Sequence, residues 1–198
     1  MRITTTLLIL GITTIPAVAD PAKPTDDELI RTAVQALIQM QEEDGAWPYE
    51  GVYRVGGRIP IGYRVGGTAI VAEALLYAAE RGDADADRAI RRGVEFILSQ
   101  LDDPLLEPST KDAYDVRVWG HCYVLDVFCR LRAAGRCGEH LQSIERWIPR
   151  LVEALVIQEL KEGGWNYANR KQPAAFVTAP VVQSLLLARS QGEKVPDE

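Results

Sequence analysis

The sequence predicts an all-α fold built from three helix–loop–helix units, and three observations support that prediction. Apolar residues recur at helical spacing, and no segment alternates apolar and polar residues over the length of a strand. A glutamine closes an apolar helical stretch at intervals of 59 and 58 residues, and a glycine, which favours the left-handed backbone that ends a helix, follows each second helix. These residues are Gln41, Gln100 and Gln158, and Gly82, Gly135 and Gly192. The units span about 25–82, 85–135 and 141–192.

The first helix of each unit should bury one apolar stripe. Thr25 and Glu28 have the spacing of a capping box at the start of the first unit. Asp83 stands where an acidic side chain caps the second, and Pro149 should kink or restart the third. The stripes are Ile30, Val34 and Leu37; Ile90, Val94, Ile97 and Leu101; and Ile144, Trp147, Leu151 and Leu155.

The second helices, predicted over 68–81, 116–134 and 178–191, are rich in small and apolar residues on nearly all sides. This composition predicts deeper burial than in the first helices. The expected arrangement is a curved double layer, with amphipathic helices outside a buried row.

The N-terminal residues have the pattern of a signal peptide. Arg2 precedes an apolar run over 7–15, and Ala17 and Ala19 form an A-x-A cleavage site. We expect cleavage after Ala19 and export to the periplasm or the extracellular space, leaving a domain over 20–198. The apolar run is too short to cross a hydrocarbon layer of about 30 Å, so no stable membrane span is predicted.

Charge and cysteine content narrow the function classes. The chain has 22 basic and 28 acidic residues and a net charge of −6, which argues against nucleic acid as a partner. The three cysteines allow at most one disulfide. Cys122 and Cys129 should lie about two turns apart on one helix, too far to pair, so both are expected to be small buried hydrophobes.

Two turns carry a family resemblance. Gln41-x3-Gly45-x-Trp47 and Gln158-x4-Gly163-x-Trp165 resemble the QW motif of squalene-hopene cyclases and protein prenyltransferases, and residues 92–100 resemble the first half of its longer form. The resemblance covers nearly all of the chain after residue 19. It implies a partial α/α toroid of about three hairpins, about half of a closed ring.

In that family the motif is structural. The resemblance therefore implies that the amide side chains bond backbone groups of a neighbouring helix and that the indoles cover them. The residues concerned are Gln41, Trp47, Gln100, Gln158 and Trp165.

Signals for catalysis are weak. No acidic run matches the Asp-rich motif of the cyclases, and no Asp and Cys stand at the spacing of the prenyltransferase zinc site, so no metal and no cofactor are predicted. The zinc alternative would draw on Asp115, His121, Cys122, Asp126 and His140. Asp115 and His121 are the catalytic candidates, as a general acid–base pair, against the simpler interpretation of His121 as a hydrogen-bonded core histidine.

A tandem sequence gives the leading prediction of a binding site. Tyr-Arg-Val-Gly-Gly occurs at 53–57 and again at 63–67, which suits a short ribbon. Aromatic rings and guanidinium groups there would hold a carboxylate or a sugar. The alternative is a connecting loop that packs its tyrosines over Trp47. The predicted ligand-binding residues are Tyr53, Arg54, Tyr63, Arg64, Trp119 and Tyr123.

The sequence favours an exported, non-catalytic module that binds an unknown ligand or protein partner. The alternative is a degenerate or fragmentary toroid enzyme, terpene cyclase-like or polysaccharide-acting, using Asp115, His121 and Arg64. Residues 181–188 of the last helix are apolar on more than one side. We expect this edge to be covered in a homodimer or by a C-terminal half beyond Glu198.

Overall fold

The computed structural model describes residues 24–49, 58–109, 116–166 and 172–196, and these residues form helices without a β-strand. The all-α prediction is therefore confirmed. The predicted signal peptide, Tyr53, Arg54 and Asp115 lie outside the described residues. The helices are α1 (Asp26–Gln39), α2 (Ile61–Glu80), α3 (Ala84–Gln100), α4 (Arg117–Ala133), α5 (Leu141–Ile157) and α6 (Ala175–Ser190), with single 3-10 turns at Pro104–Leu106 and Gly138–His140.

The helices pack in two rows. Helix α4 lies against α2 on one side and α6 on the other, and we call these three the central row. In the flanking row, α3 packs on α2 and α5 packs on α4, whereas α1 makes few contacts with α2 and α3. No helix in the described part of the chain has the length and apolar character needed to cross a membrane.

Several helix ends follow the sequence prediction. The Thr25 hydroxyl accepts a hydrogen bond from the Glu28 N–H, and the Glu28 carboxylate accepts one from the Thr25 N–H. The Asp83 carboxylate accepts from the N–H groups of the first turn of α3. The second helices end at glycines of positive φ, Gly82, Gly135 and Gly192.

Helix α2 begins at Ile61, seven residues before the predicted start, so Tyr63 and Arg64 lie on a helix and not on a ribbon. The ribbon, predicted from the repeated Tyr-Arg pairs, was wrong because the glycines there do not interrupt the helix. Instead, they let α2 approach α4 closely. A Cβ on Gly62 would lie 2.3 Å from the Val116 carbonyl oxygen.

The predicted stripes of α3 and α5 are buried, but that of α1 is buried only at Val34. Ile30 is 43% exposed, because α1 makes so few contacts. Helix α5 runs through Pro149 without a restart, and α6 begins at Ala175, three residues earlier than predicted. All three cysteines are free and buried, as expected for small hydrophobes.

Candidate functional site

The central-row helices repeat one backbone pattern, which fixes the equivalent positions. After each helix, a backbone N–H donates a hydrogen bond to the carbonyl five residues earlier. The pairs are Asp83 to Ala78, Arg136 to Leu131 and Glu193 to Ala188. Gly135 and Gly192 lie 53 and 110 residues after Gly82. Residues of α2, α4 and α6 are therefore equivalent at offsets of 53 and 110.

Four aromatic side chains meet on the central row, and we call them the aromatic face: Tyr49, Tyr63, Trp119 and Tyr123. Tyr49 and Tyr63 are stacked, with ring centroids 4.6 Å apart. Tyr63 meets Trp119 edge to face at 6.3 Å, and Trp119 meets Tyr123 at 4.7 Å. Trp119 and Tyr123 are half-buried. The structure thus brings together three of the predicted binding residues.

Small residues position this face. A Cβ on Gly120 would lie 3.2 Å from the Gly62 carbonyl oxygen, and one on Gly66 would lie 2.7 Å from Cδ1 of Trp119. Helices α2 and α4 therefore meet at near backbone contact, and Gly66 leaves the space that the indole fills. Gly67 has no atom within 4 Å of such a Cβ, so it plays no part in this contact.

A set of polar residues lies beside the aromatic face. Glu73, Asp126 and Gln183 are equivalent residues of α2, α4 and α6, and we call them the polar tier. With Tyr123 and Arg130 they line a cavity of about 90 Å³. The Arg130 Nε donates to Asp126 Oδ2 at 2.5 Å and forms an ion pair with Glu73 Oε1 at 2.9 Å, so one guanidinium joins two carboxylates.

The carboxylates of the polar tier do not ionise independently. Burial raises the pKa of Glu73, the charge of Asp126 raises it further, and Arg130 offsets part of the rise. The hydrogen bond to Asp126 in turn raises the pKa of Arg130. The pKa of Glu73 therefore lies above its ordinary value, and its carboxyl group can donate a hydrogen bond when it is protonated.

Sequence reasoning missed the polar tier because its members lie on three different helices. A signal was present, since aligning the second helices on their terminal glycines places Glu73, Asp126 and Gln183 in one register.

His121 is a buried residue of α4. Burial lowers its pKa to about 4, so the imidazole is neutral at pH 7. Its Nδ1 lies 2.8 Å from Nε2 of Gln158, and the ring also bonds the Leu106 backbone. These contacts match a hydrogen-bonded core histidine and leave little reason for the general acid–base role.

Arg64 is already engaged within the chain. Its Nη2 donates to the carboxylates of Glu42 at 2.6 Å and Asp44 at 2.9 Å, and its guanidinium lies 4.9 Å from the Phe96 ring centroid. Burial opposes the charge on Asp44, but hydrogen bonds from the Ala46 N–H and from Arg64 hold its pKa below the ordinary value. The charge of Arg64 is thus already paired within the chain, which disfavours the predicted binding of a ligand carboxylate by this residue.

The two QW-like turns share one internal geometry. The indole N–H of Trp47 donates to the Leu37 carbonyl at 2.6 Å, and that of Trp165 donates to the Leu155 carbonyl at 2.7 Å. A threonine hydroxyl of the following helix accepts from each tryptophan backbone N–H. The corresponding residues of the two turns lie 118 residues apart.

The offset of 118 residues between the two turns shows that the predicted alignment of Gln41 with Gln158 is wrong by one residue. Gln41 is equivalent to Glu159, whereas Gln158 is the C-cap of α5, equivalent to Met40 of α1. Of the three predicted amides, Gln41 shows the expected bond to a backbone group of a neighbouring helix, from its Nε2 to the Ala89 carbonyl at 2.8 Å, whereas Gln158 bonds the His121 side chain. Gln100 Nε2 instead bonds the adjacent Ser99 hydroxyl.

The one group of possible metal ligands among the described residues shares only His140 with the zinc alternative. Among the described residues, ligand atoms of Glu95, Glu139 and His140 lie within 4.8 Å of one another, with both carboxylates exposed. The group lies on the surface, and exposed acidic groups of this kind are common without an ion.

No family model, curated protein or solved structure matches this chain. The QW-like turns therefore stay a resemblance, and a function has to be sought in the aromatic face and the polar tier.

Proposed function

We propose that this chain is a non-catalytic binding module whose aromatic face and polar tier bind a neutral carbohydrate. The supporting observation is that aromatic rings and a hydrogen-bonding cluster lie side by side on one row of helices, because Tyr123 belongs to the aromatic face and also lines the cavity of the polar tier. A sugar ring offers C–H groups on its flat side and hydroxyls around its edge. The first pack on aromatic rings, and the second need polar partners.

Local charge favours a neutral ligand over an anion. The polar tier carries two carboxylates on one arginine, and Arg64 is held between two more. An anionic ligand would meet this negative potential, in a chain of net charge −6. Sugar hydroxyls can donate to the carboxylates of Glu73 and Asp126 and accept from the Gln183 amide.

The proposal includes the family and the location expected from the sequence. A central row that alternates along the chain with flanking helices is what a partial toroid of the squalene-cyclase and prenyltransferase type would contain. Export would bring the module to the compartment in which structural polysaccharides occur.

Affinity electrophoresis of the full chain with soluble neutral β-glucan, xylan and mannan tests this function. We expect at least one polysaccharide to retard migration, and Tyr123→Ala to abolish the retardation without unfolding the protein. Tyr77→Ala is the matched control, because Tyr77 is an exposed tyrosine of α2 that packs on Arg81 and lies outside the aromatic face. The proposal would be ruled out if none of the three polysaccharides retards the wild-type chain, or if the Tyr123→Ala variant is retarded as much as the wild type.

One observation favours a polysaccharide-acting enzyme as the second candidate. Glu73, with its raised pKa, could donate a proton at the polar tier beside Asp126. Release of reducing ends by the wild-type chain that Glu73→Gln abolishes would establish this alternative, whereas binding without release supports the module.

A further inference from the structure

The two ends of the central row differ in how they are covered. Leu76 of α2 is 7% exposed, whereas Leu186, its equivalent on α6, is 50% exposed. Ala72 is fully buried, whereas its equivalent Val182 is 40% exposed. Helix α3 packs on α2 and meets it at Thr68, one turn before Ala72, whereas Val182 and Leu186 on α6 are exposed in the described part of the chain. The difference leaves an apolar flank on the last helix.

The uncovered flank forms one wall of a groove. Its volume is about 310 Å³, and we call it the Trp165 groove, after the indole at its base. Val182 and Leu185 of α6 line one side, and Glu159 at the end of α5 lines another. Thr178, which accepts the Trp165 backbone N–H, also lines it.

The first unit shows what fills the equivalent place. Helix α3 lies over the Trp47 turn, and Gly93 faces the indole so closely that a Cβ would lie 2.9 Å from Cζ3 of Trp47. Arg92 donates to Gln41 Oε1 at 3.2 Å and to the carbonyls of Glu42 at 2.8 Å and Glu43 at 3.1 Å. An Arg-Gly pair on an amphipathic helix is thus what this kind of turn accommodates.

We propose that the Trp165 groove binds an amphipathic helix of a partner protein that carries an Arg-Gly pair, placed as α3 is placed on the Trp47 turn. The partner glycine lies on the Trp165 indole, and its apolar face covers Val182 and Leu186. The partner arginine donates to the Glu159 carboxylate and to the carbonyls of Leu160 and Lys161, the equivalents of Gln41, Glu42 and Glu43.

Charge complementarity supports this choice of partner. Glu159 replaces an amide by a carboxylate at the position that accepts from Arg92 in the first unit. A carboxylate attracts a guanidinium through its opposite charge and can accept two parallel hydrogen bonds from it, which a neutral amide cannot. The groove is therefore better suited to an arginine than the turn whose geometry it copies, and this site is independent of the aromatic face.

A fluorescein-labelled peptide of residues 83–101 is a probe with the chemistry of α3. We expect saturable anisotropy binding to the full chain. A peptide with Arg92→Ala or Gly93→Leu should bind at least about tenfold more weakly, because each change removes one of the two defining contacts. On the protein, Val182→Glu should abolish binding, and Glu159→Gln should weaken it and reduce its dependence on salt.

Ile30→Glu is the matched control, because it places the same charge on an exposed apolar residue of α1, away from the groove. It should bind like the wild type. Two-dimensional NMR of the indole N–H groups should show a shift at Trp165 and none at Trp47, which excludes displacement of the protein's own α3.

Absence of saturable binding, or binding that Val182→Glu leaves unchanged, would overturn the proposal. Light scattering at the same concentration should find a monomer without the peptide. A dimer that Val182→Glu dissociates would also overturn it, since the occupant would then be a second copy of this chain.

Discussion

The Trp47 turn and the Trp165 turn are two copies of one structure, the first covered by a helix and the second uncovered. Each indole donates to a carbonyl ten residues earlier, and each tryptophan backbone N–H bonds a threonine of the next helix. Helix α3 lies over the first, whereas the second borders an open groove. A turn of this kind is therefore formed by its own residues. We expect its stability to depend on what packs over it.

Replacing each tryptophan by alanine should have the largest effect on stability, and it gives a first measure of the difference between the two turns. We expect Trp47→Ala to cost about 3–5 kcal/mol of unfolding free energy, because a large side chain packed on every side leaves a cavity. Trp165→Ala should cost about 2–4 kcal/mol, since one side of this indole faces the groove. Urea unfolding followed by circular dichroism compares the two. A greater loss for Trp165→Ala would contradict the comparison.

Substituting the glycines of the two turns distinguishes the stability due to the turn itself from the stability due to the helix that packs over it. Gly45 and Gly163 have φ of 91° and 84°, so alanine at either costs about 1–2 kcal/mol in strain. At Gly45 the new Cβ would also lie 2.4 Å from the Arg92 carbonyl oxygen, whereas at Gly163 its nearest atom is 4.0 Å away. Gly45→Ala should therefore lose a further ~1–3 kcal/mol. Equal losses in thermal or urea unfolding would mean that α3 does not lie on this turn.

The uncovered turn should also be the source of a pH dependence. Gln158, the C-cap residue before this turn, bonds the buried His121, whereas the equivalent residue in the first unit is Met40. The pKa of His121 is lowered to about 4, so between about pH 6.5 and 4 the unfolded chain binds a proton that the folded chain does not. Stability should fall as the pH falls through this window.

The size of the pH effect can be measured against a matched variant. Between pH 7 and pH 5, His121 should account for about 2 kcal/mol of the lost unfolding free energy. His121→Asn cannot take up this proton, so its unfolding free energy should change less over the same interval. A variant with the slope of the wild type would show that His121 is not the group responsible.

The smallest effects concern the arginine contact. Arg92→Ala should cost about 1 kcal/mol, because its bonds to the Trp47 turn are exposed to solvent. Glu159→Gln restores the residue of the covered turn and should change stability by less than about 0.5 kcal/mol, since no described helix supplies an arginine to Glu159. A cost for Glu159→Gln as large as that for Arg92→Ala would mean that Glu159 already has a partner.

Local signals in the sequence predicted much of the fold. The capping residues Thr25 and Asp83 and the glycines after the second helices act within a few residues, so a linear pattern contains them. The start of α2 was missed for the opposite reason. Gly62 and Gly66 look like helix breakers unless the approach of α4 is known, and that approach depends on residues more than 50 positions away.

The candidate site was predicted in part. Tyr63, Trp119 and Tyr123 do meet, although the predicted ribbon does not exist at 63–67. The joining of Glu73 to Asp126 through Arg130 was not foreseen, because it requires the packing of two helices in one register. The glutamine spacing also gave a register for the third unit that is wrong by one residue, since Trp47 and Trp165, not the glutamines, keep the same contacts.

The most direct test is hydrogen exchange of the two indole N–H groups in the full chain, followed by NMR and assigned with Trp47→Phe and Trp165→Phe. Both groups should be protected, because each donates to a carbonyl within 2.7 Å. Trp165 should exchange at least about tenfold faster than Trp47, a difference of about 1.4 kcal/mol in local opening, because no described helix lies over it. Equal protection of the two, or an unprotected Trp165, would contradict the account of one turn in a covered and an uncovered copy.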